Sequence, residues 1–154
     1  MKEEEGITRI SVRNLVEFVL RSGDLDNRRT AGAQKEAMQA GSRLHRKIQK
    51  RMGANYQAEV SLKHTFWVEG IGIQVEGRAD GILTEPGGVT VDEIKCLYMD
   101  LEELTEPIPV HLAQAMCYGY LYGLDRQLSS VAFQITYCNI ESEEIRRFRS
   151  ERSW

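Results

Sequence analysis

Gly77-Arg78-Ala79-Asp80-Gly81-Ile82-Leu83, a turn signal at Pro86-Gly87-Gly88, and Val89-Thr90-Val91-Asp92-Glu93-Ile94-Lys95 form the stretch on which the fold turns. The second flank alternates as strands do and is rich in β-branched residues, and the proline-glycine pair between the flanks reverses the chain. The reading is two paired antiparallel strands. Strand side chains alternate in direction, so Glu93 and Lys95 emerge on one face and Asp92 on the other. Asp92 is therefore expected to serve structure. Asp80 lies before the short hairpin that can bring it beside Glu93 and Lys95.

Working upstream, Val60, Leu62, Phe66, Val68, Ile71, Ile73 and Val75, interrupted by Gly70 and Gly72, give a β pattern from Ala58 onward that reads as a hairpin. A helix is predicted before it, over about Gln34 to Met52, with Met38, Leu44 and Ile48 as its buried seam and Gly53 as its stop. Ser11 suits the N-cap of a first helix carrying Val12, Leu15, Val16, Val19 and Leu20 and ending at Ser22-Gly23. Downstream, Val110 to Leu124 is apolar on nearly every side and predicts a helix buried against the sheet. A strand, Val131 to Cys138, follows. Glu141 to Trp154 fits either a hairpin partner strand or a short helix, and the polar stretches Arg21–Gly32 and Asp100–Pro109 read as loops.

The chain has 154 residues, 42% hydrophobic and 28% charged with three prolines, which is the balance of one soluble folded domain. No signal-peptide run opens it and no stretch approaches the ~18 apolar residues of a membrane span, so a cytoplasmic protein without membrane partners is expected. A charged segment running to Trp154 suggests a fragment of a longer protein. The three cysteines, Cys96, Cys117 and Cys138, are odd in number and widely spaced, which suits reduced thiols rather than a disulfide framework or a paired zinc motif.

Two carboxylates with a lysine suit phosphodiester hydrolysis. The acids hold a hard divalent cation through oxygen, and the lysine orients water or steadies the charged transition state. A solvent-facing strand with cross-strand ion pairs, and a plain turn at Asp80-Gly81, would use the same residues. The net charge of −3 lacks the basicity common in nucleic-acid binders, so a DNA surface would have to come from local clustering. Arg43, Arg46, Lys47, Lys50 and Arg51 recur at three- and four-residue spacing and give the second helix a basic face around His45. A solvated helix face would show the same run. Nothing resembles a helix-turn-helix, a zinc finger or a base-reading loop, which points to backbone contacts without sequence preference.

The Gly77-Arg78-Ala79-Asp80-Gly81 segment, Glu93-Ile94-Lys95, the helical Gln114 to Tyr118 and the upstream Gly41 to His45 together resemble the RecB-like branch of the PD-(D/E)XK nuclease superfamily, over about residues 34 to 140. The resemblance implies an α/β fold with a restriction-endonuclease-like core, a central mixed β-sheet flanked by α-helices. It implies that Asp80 is the metal-binding aspartate, Glu93 the variable acid and Lys95 the catalytic lysine. His45 would be the extra histidine ligand of this branch, the Ile94 main-chain carbonyl would complete the metal shell, and Gln114 with Tyr118 would position substrate. An imidazole in the set makes Mn²⁺ as acceptable as Mg²⁺.

The implied activity is a metal-dependent deoxyribonuclease, an exonuclease or end-processing enzyme of DNA repair or recombination. A non-catalytic DNA-binding or assembly module and a junction resolvase stand as alternatives. Relatives in this branch often sit beside helicases, and no Walker A motif occurs here, so a helicase would lie elsewhere on a longer chain or on another protein. Some relatives, among them CRISPR-associated exonucleases and the AddB-type subunit, hold an iron–sulfur cluster on four cysteines. The three cysteines of this chain do not reproduce that pattern, and no cluster is expected.

Overall fold

The computed structural model describes residues 6–20 and 31–153. The chain runs β1 (Ile7–Ser11), α1 (Val12–Val19), α2 (Ala31–Arg51), β2 (Tyr56–Val68), β3 (Ile71–Glu85), β4 (Gly88–Leu97), a 3₁₀ turn (Leu101–Glu103), α3 (Pro109–Arg126), β5 (Ser130–Asn139) and β6 (Ile145–Ser153). The strands make one mixed six-stranded sheet flanked by helices, the architecture expected from sequence. Strand β1 was not anticipated, and the charged tail resolves as a strand, antiparallel to β5, with Phe148 opposite Ile135. The segment before α3 carries the 3₁₀ turn, and α3 begins at Pro109, a residue preset for a first helical position. The expected loop at Arg21–Gly32 and the helix stop at Ser22-Gly23 lie outside the described residues, except that Ala31 and Gly32 already belong to α2.

Ser11 caps α1 as its sequence position suggests: its hydroxyl accepts from the Asn14 amide at 3.0 Å, and Val12 and Val16 turn inward. β5 is buried along nearly its whole length, as a central strand covered on both faces must be. Parallel to β4 on one side and antiparallel to β6 on the other, it packs Phe133, Ile135 and Tyr137 with Tyr118, Leu121 and Tyr122 of α3. A smaller cluster joins Leu44 and Ile48 of α2 to Ile94 and Cys138. Each such side chain, fully buried, contributes about 1.5–3 kcal/mol.

Strand β3 organises everything else. β2 runs antiparallel along one of its edges from end to end. The other edge is shared: β1 pairs in parallel with Gly72–Glu76, and β4 pairs antiparallel with Gly81–Glu85. Between these two ladders, Gly77 to Asp80 have no strand partner on that edge among the described pairings, because β4 splays away from β3 beyond Asp92. Continuing the β3–β4 register past the split would set Asp80 opposite Glu93.

The fork is prepared on the β2 side as well. In the β2–β3 ladder Ala58 pairs with Gly81 and Val60 with Ala79 in one unbroken register, and Glu59 and Asp80 between them are not among the paired residues. Glu59 sits at φ 57°, a left-handed conformation that is uncommon for a residue with a side chain and costs free energy within a strand.

Candidate metal centre and cleft

Asp80 stands in the fork with both carboxylate oxygens engaged. Oδ2 accepts from the Ile94 amide at 2.7 Å, taking an N–H that the splayed ladder leaves over, and Oδ1 lies 2.9 Å from His45 Nε2. His45 reaches that position because its neighbours Leu44 and Ile48 dock α2 on the sheet against Ile94 and Cys138. The hydrogen bond to Asp80 raises the His45 pKa above its usual value, against the lowering effect of burial.

One helical turn on, Gln49 Nε2 donates to the Asp80 carbonyl at 2.9 Å and to Glu59 Oε1 at 3.0 Å, and Arg78 Nε pairs with Glu59 Oε2 at 2.8 Å. Glu59 thus joins the site, with ligand atoms of His45, Glu59 and Asp80 within 4.8 Å of one another. Sequence reading missed it. Its strand position carried no signal of its own, and it meets the site because its neighbours Ala58 and Val60 pair with Gly81 and Ala79 on either side of Asp80.

Glu93 is 5% exposed, and one of its oxygens, Oε2, is buried without a hydrogen-bond partner among the described residues. The other, Oε1, lies 3.2 Å from Lys95 Nζ. Burial, and next the Asp80 charge, push the Glu93 carboxyl up to about 8, with Lys95 pulling the other way. A buried carboxylate oxygen with no donor, set beside a second carboxylate, is costly unless a proton or a cation sits there. His45, Glu59 and Asp80 offer one imidazole and two carboxylates, a donor set that fits a divalent cation. Ile94 is buried in the same place, with its amide committed to Asp80.

On the other face of β4, Asp92 is fully buried and accepts three hydrogen bonds, from Thr136 Oγ1 at 2.6 Å, Tyr56 OH at 2.7 Å and Gln134 Nε2 at 3.2 Å. Burial drives its pKa up, and the three donors pull it partway back. This bears out its structural reading. Tyr56, held by Asp92, lies over Gly81, so the residue after Asp80 is fixed from below.

Gln114 and Tyr118 are both buried on α3. Gln114 Oε1 has no hydrogen-bond partner among the described residues. The Tyr118 ring fills the space beside Gly77, where a Cβ would come within 2.8 Å of it, and its pKa is raised, chiefly by burial, despite a hydrogen bond from the Arg78 backbone. Tyr118 therefore supports the β3 segment that carries Asp80. The three cysteines are free thiols, Cys96 lying beside Cys138 on adjacent strands and Cys117 on α3.

The fork opens into a cleft of about 1390 Å³ whose lining includes His45, Asp80, Lys95, Arg13, Arg46 and Arg78. Of the cations expected to meet DNA, Arg46 faces this cleft. Arg43, Lys47 and Lys50 are exposed on α2 outside its lining, and Lys47 pairs with Glu143 at 2.7 Å. Arg13 and Arg78 supply cleft charge that the sequence did not single out. No helix among the described residues is long and apolar enough to cross a membrane.

No protein-family model matches the chain, and no curated protein matches it. Solved structures do. The chain is similar to the crystal structure of SSO0001, with a TM-score of 0.63 and 22% identity, covering 95% of this chain and 68% of that one. It is also similar to an alkaline exonuclease, LHK-Exo from Laribacter hongkongensis, with a TM-score of 0.56 and 16% identity, covering 94% of this chain and 78% of that one. Likeness at these identities establishes the fold, a restriction-endonuclease-like mixed sheet with flanking helices.

Proposed function

We propose that this chain is a metal-dependent DNA nuclease whose active site is the β3–β4 fork. The observation that carries the reading is the arrangement of Asp80, Glu93 and Lys95 there: a carboxylate pair, one of its buried oxygens unpartnered, with an ammonium 3.2 Å from the other oxygen of the same residue. A buried carboxylate oxygen beside a second carboxylate needs a proton or a cation, and the fork provides donors for a cation. One structural neighbour is an alkaline exonuclease, which agrees with the reading.

His45, Glu59, Asp80 and Glu93 would hold the cation, Mg²⁺ or Mn²⁺, which when bound supplies Lewis acidity toward the phosphoryl group. The chain's own groups do the rest. Lys95 lines the cleft beside Glu93 and donates to the attacking water or to a non-bridging phosphate oxygen. Asp80 is held by the Ile94 amide in one orientation before substrate arrives, which limits the reorganisation that accompanies the reaction. Arg46 and Arg13 attract the phosphate backbone to the cleft without reading bases. Tyr118 acts from beneath, by positioning β3, and Gln114 on the same helix would position substrate.

Within this reading the chain is a single nuclease domain of the RecB-like branch, acting at DNA ends in repair or recombination, in the cytoplasm and without sequence preference, with a helicase in cis or in trans. The test is cleavage of labelled single- and double-stranded DNA with Mn²⁺, Mg²⁺ or EDTA, comparing the unaltered chain with Lys95→Ala and Asp80→Ala. Metal-dependent cutting lost in both variants supports the proposal. Binding without cutting under every condition would replace the enzyme with a recognition module.

A further inference from the structure

The cleft does not end at the fork. Beyond Lys95 its lining continues through Leu97 to Tyr98, an aromatic residue 46% exposed just where β4 ends. A tyrosine in water at a strand exit would ordinarily sit on mobile backbone. Here the chain is pinned on both sides of it: the Ile140 amide donates to the Leu97 carbonyl at 2.8 Å, and Asn139 Nδ2 donates to the Met99 carbonyl at 2.8 Å. Asn139 is itself held, since its Oδ1 accepts from the Glu141 and Ser142 amides at 2.8 and 2.9 Å. The ring is exposed on a fixed support.

The opposite wall is one face of α2, where Met38, Ser42, His45 and Arg46 recur at helical spacing. Met38 is 72% exposed. Seven residues separate it from His45, a rise of roughly 10 Å along the helix. Three strand residues separate Lys95 from Tyr98, again roughly 10 Å. The cleft therefore has a charged end, with Asp80, Lys95 and Arg46, and an apolar end with Tyr98 and Met38.

We propose that Tyr98 is a stacking platform for an unpaired DNA base, so that the cleft takes a single strand with its phosphates toward Arg46 and Lys95 and a base against the ring. The proposal rests on the nuclease reading and adds its substrate form and the residue that selects it. Charge complementarity names the occupant: cations at one end suit a phosphodiester, and an exposed π-face with a thioether opposite suits a base that has left its stack. A duplex keeps its bases stacked on one another and has none to offer Tyr98.

The experiment is fluorescence anisotropy of an end-labelled single-stranded oligodeoxynucleotide, and of a blunt duplex of the same length, in EDTA so that no cleavage intervenes. The chain is compared with Tyr98→Ala and Tyr98→Phe, and a 2-aminopurine base in the single strand reports stacking by its quenching. Tyr98→Ala should weaken single-strand binding about tenfold and abolish the quenching, with duplex binding unchanged, and Tyr98→Phe should restore both. Single-strand affinity unchanged in Tyr98→Ala, or lowered equally for duplex, overturns the platform and leaves the nuclease reading standing. Failure of the unaltered chain to bind either DNA overturns both. Because the side chain is exposed, matched thermal melts of the variants show that any loss is local.

Discussion

Gly81→Ala adds one methyl group beside Asp80, and its effect follows from a single contact. Gly81 is not among the residues at positive φ, so alanine meets no backbone objection there. The objection is space: a Cβ would lie 1.9 Å from both Cζ and the hydroxyl oxygen of Tyr56, far inside the 3.0 Å that real contacts respect. Tyr56 must move by about an ångström or more, and it is tethered by its 2.7 Å hydrogen bond to the buried Asp92. Losing a bond to a charged acceptor costs about 1.5–3 kcal/mol. Overpacking adds about 1–3 kcal/mol, for a total of about 2.5–6 kcal/mol in a domain whose whole stability is about 5–15 kcal/mol. Urea titration followed by tryptophan fluorescence measures this directly. The same substitution in a Tyr56→Ala background should cost less than about 1 kcal/mol, because the obstacle is gone, giving a coupling of at least about 1.5 kcal/mol. Equal costs in the two backgrounds, or less than about 1 kcal/mol in the unaltered one, would refute the steric account.

Three other outcomes are expected. Burial, and secondarily the charge of Lys95, lower the His111 pKa to about 4 beside the Tyr137 hydroxyl 2.8 Å away, so its stabilising contribution is complete above about pH 6.5 and lost as pH falls toward 4; an imidazole proton titration by NMR with a midpoint near 6.5 would contradict this. Mn²⁺ should bind with proton release and more tightly as pH rises toward 8, since Glu93 and His45 both hold their protons more firmly than usual. Calorimetry in buffers of different ionisation enthalpy reads this, and Glu59→Gln should cost about tenfold or more in affinity, an unchanged value excluding Glu59 from the metal shell. Ser11→Ala should destabilise the fold by about 0.5–2 kcal/mol through loss of the α1 cap, seen as a lower urea midpoint with an unchanged slope.

Elements with strong periodicity or capping were legible in the sequence. Ser11, the Leu44 and Ile48 seam of α2, the buried face of α3 and the β3–β4 hairpin around Pro86-Gly87-Gly88 stand where their patterns put them, whereas Met38, expected in the α2 seam, is 72% exposed. β1 was not legible, because five residues with only Ile7 and Ile10 apolar carry too little pattern, and its pairing with β3 joins segments far apart in the chain. The glycines of β3 misled in a different way. Gly77 reads as the start of a separate segment, yet β3 continues unbroken from Ile71 to Glu85, and Gly77 and Gly81 make room for Tyr118 and Tyr56 from other elements. Asp80, Glu93 and Lys95 were singled out by residue type and spacing and His45 by a family resemblance, and the structure brings the four together at the fork. Glu59, Arg78 and Arg13 were not, because their nearness to the fork is created by cross-strand placement and by packing that no local pattern encodes.

The splayed fork also bears on when the chain becomes competent. The two hairpins, β2–β3 and β3–β4, close short loops and can form early. His45 arrives only after α2 docks onto Ile94 and Cys138, and Cys138 is in place only after the α3 crossover has set β5 parallel to β4. The proposed cation shell thus draws on residues brought together by contacts between segments far apart in the chain, which topology makes slower to form than local hairpins. During refolding, Trp67 near the β2–β3 turn would report structure before Mn²⁺ could be captured. A chain that cuts DNA would in this way stay harmless until its last strands had found their places.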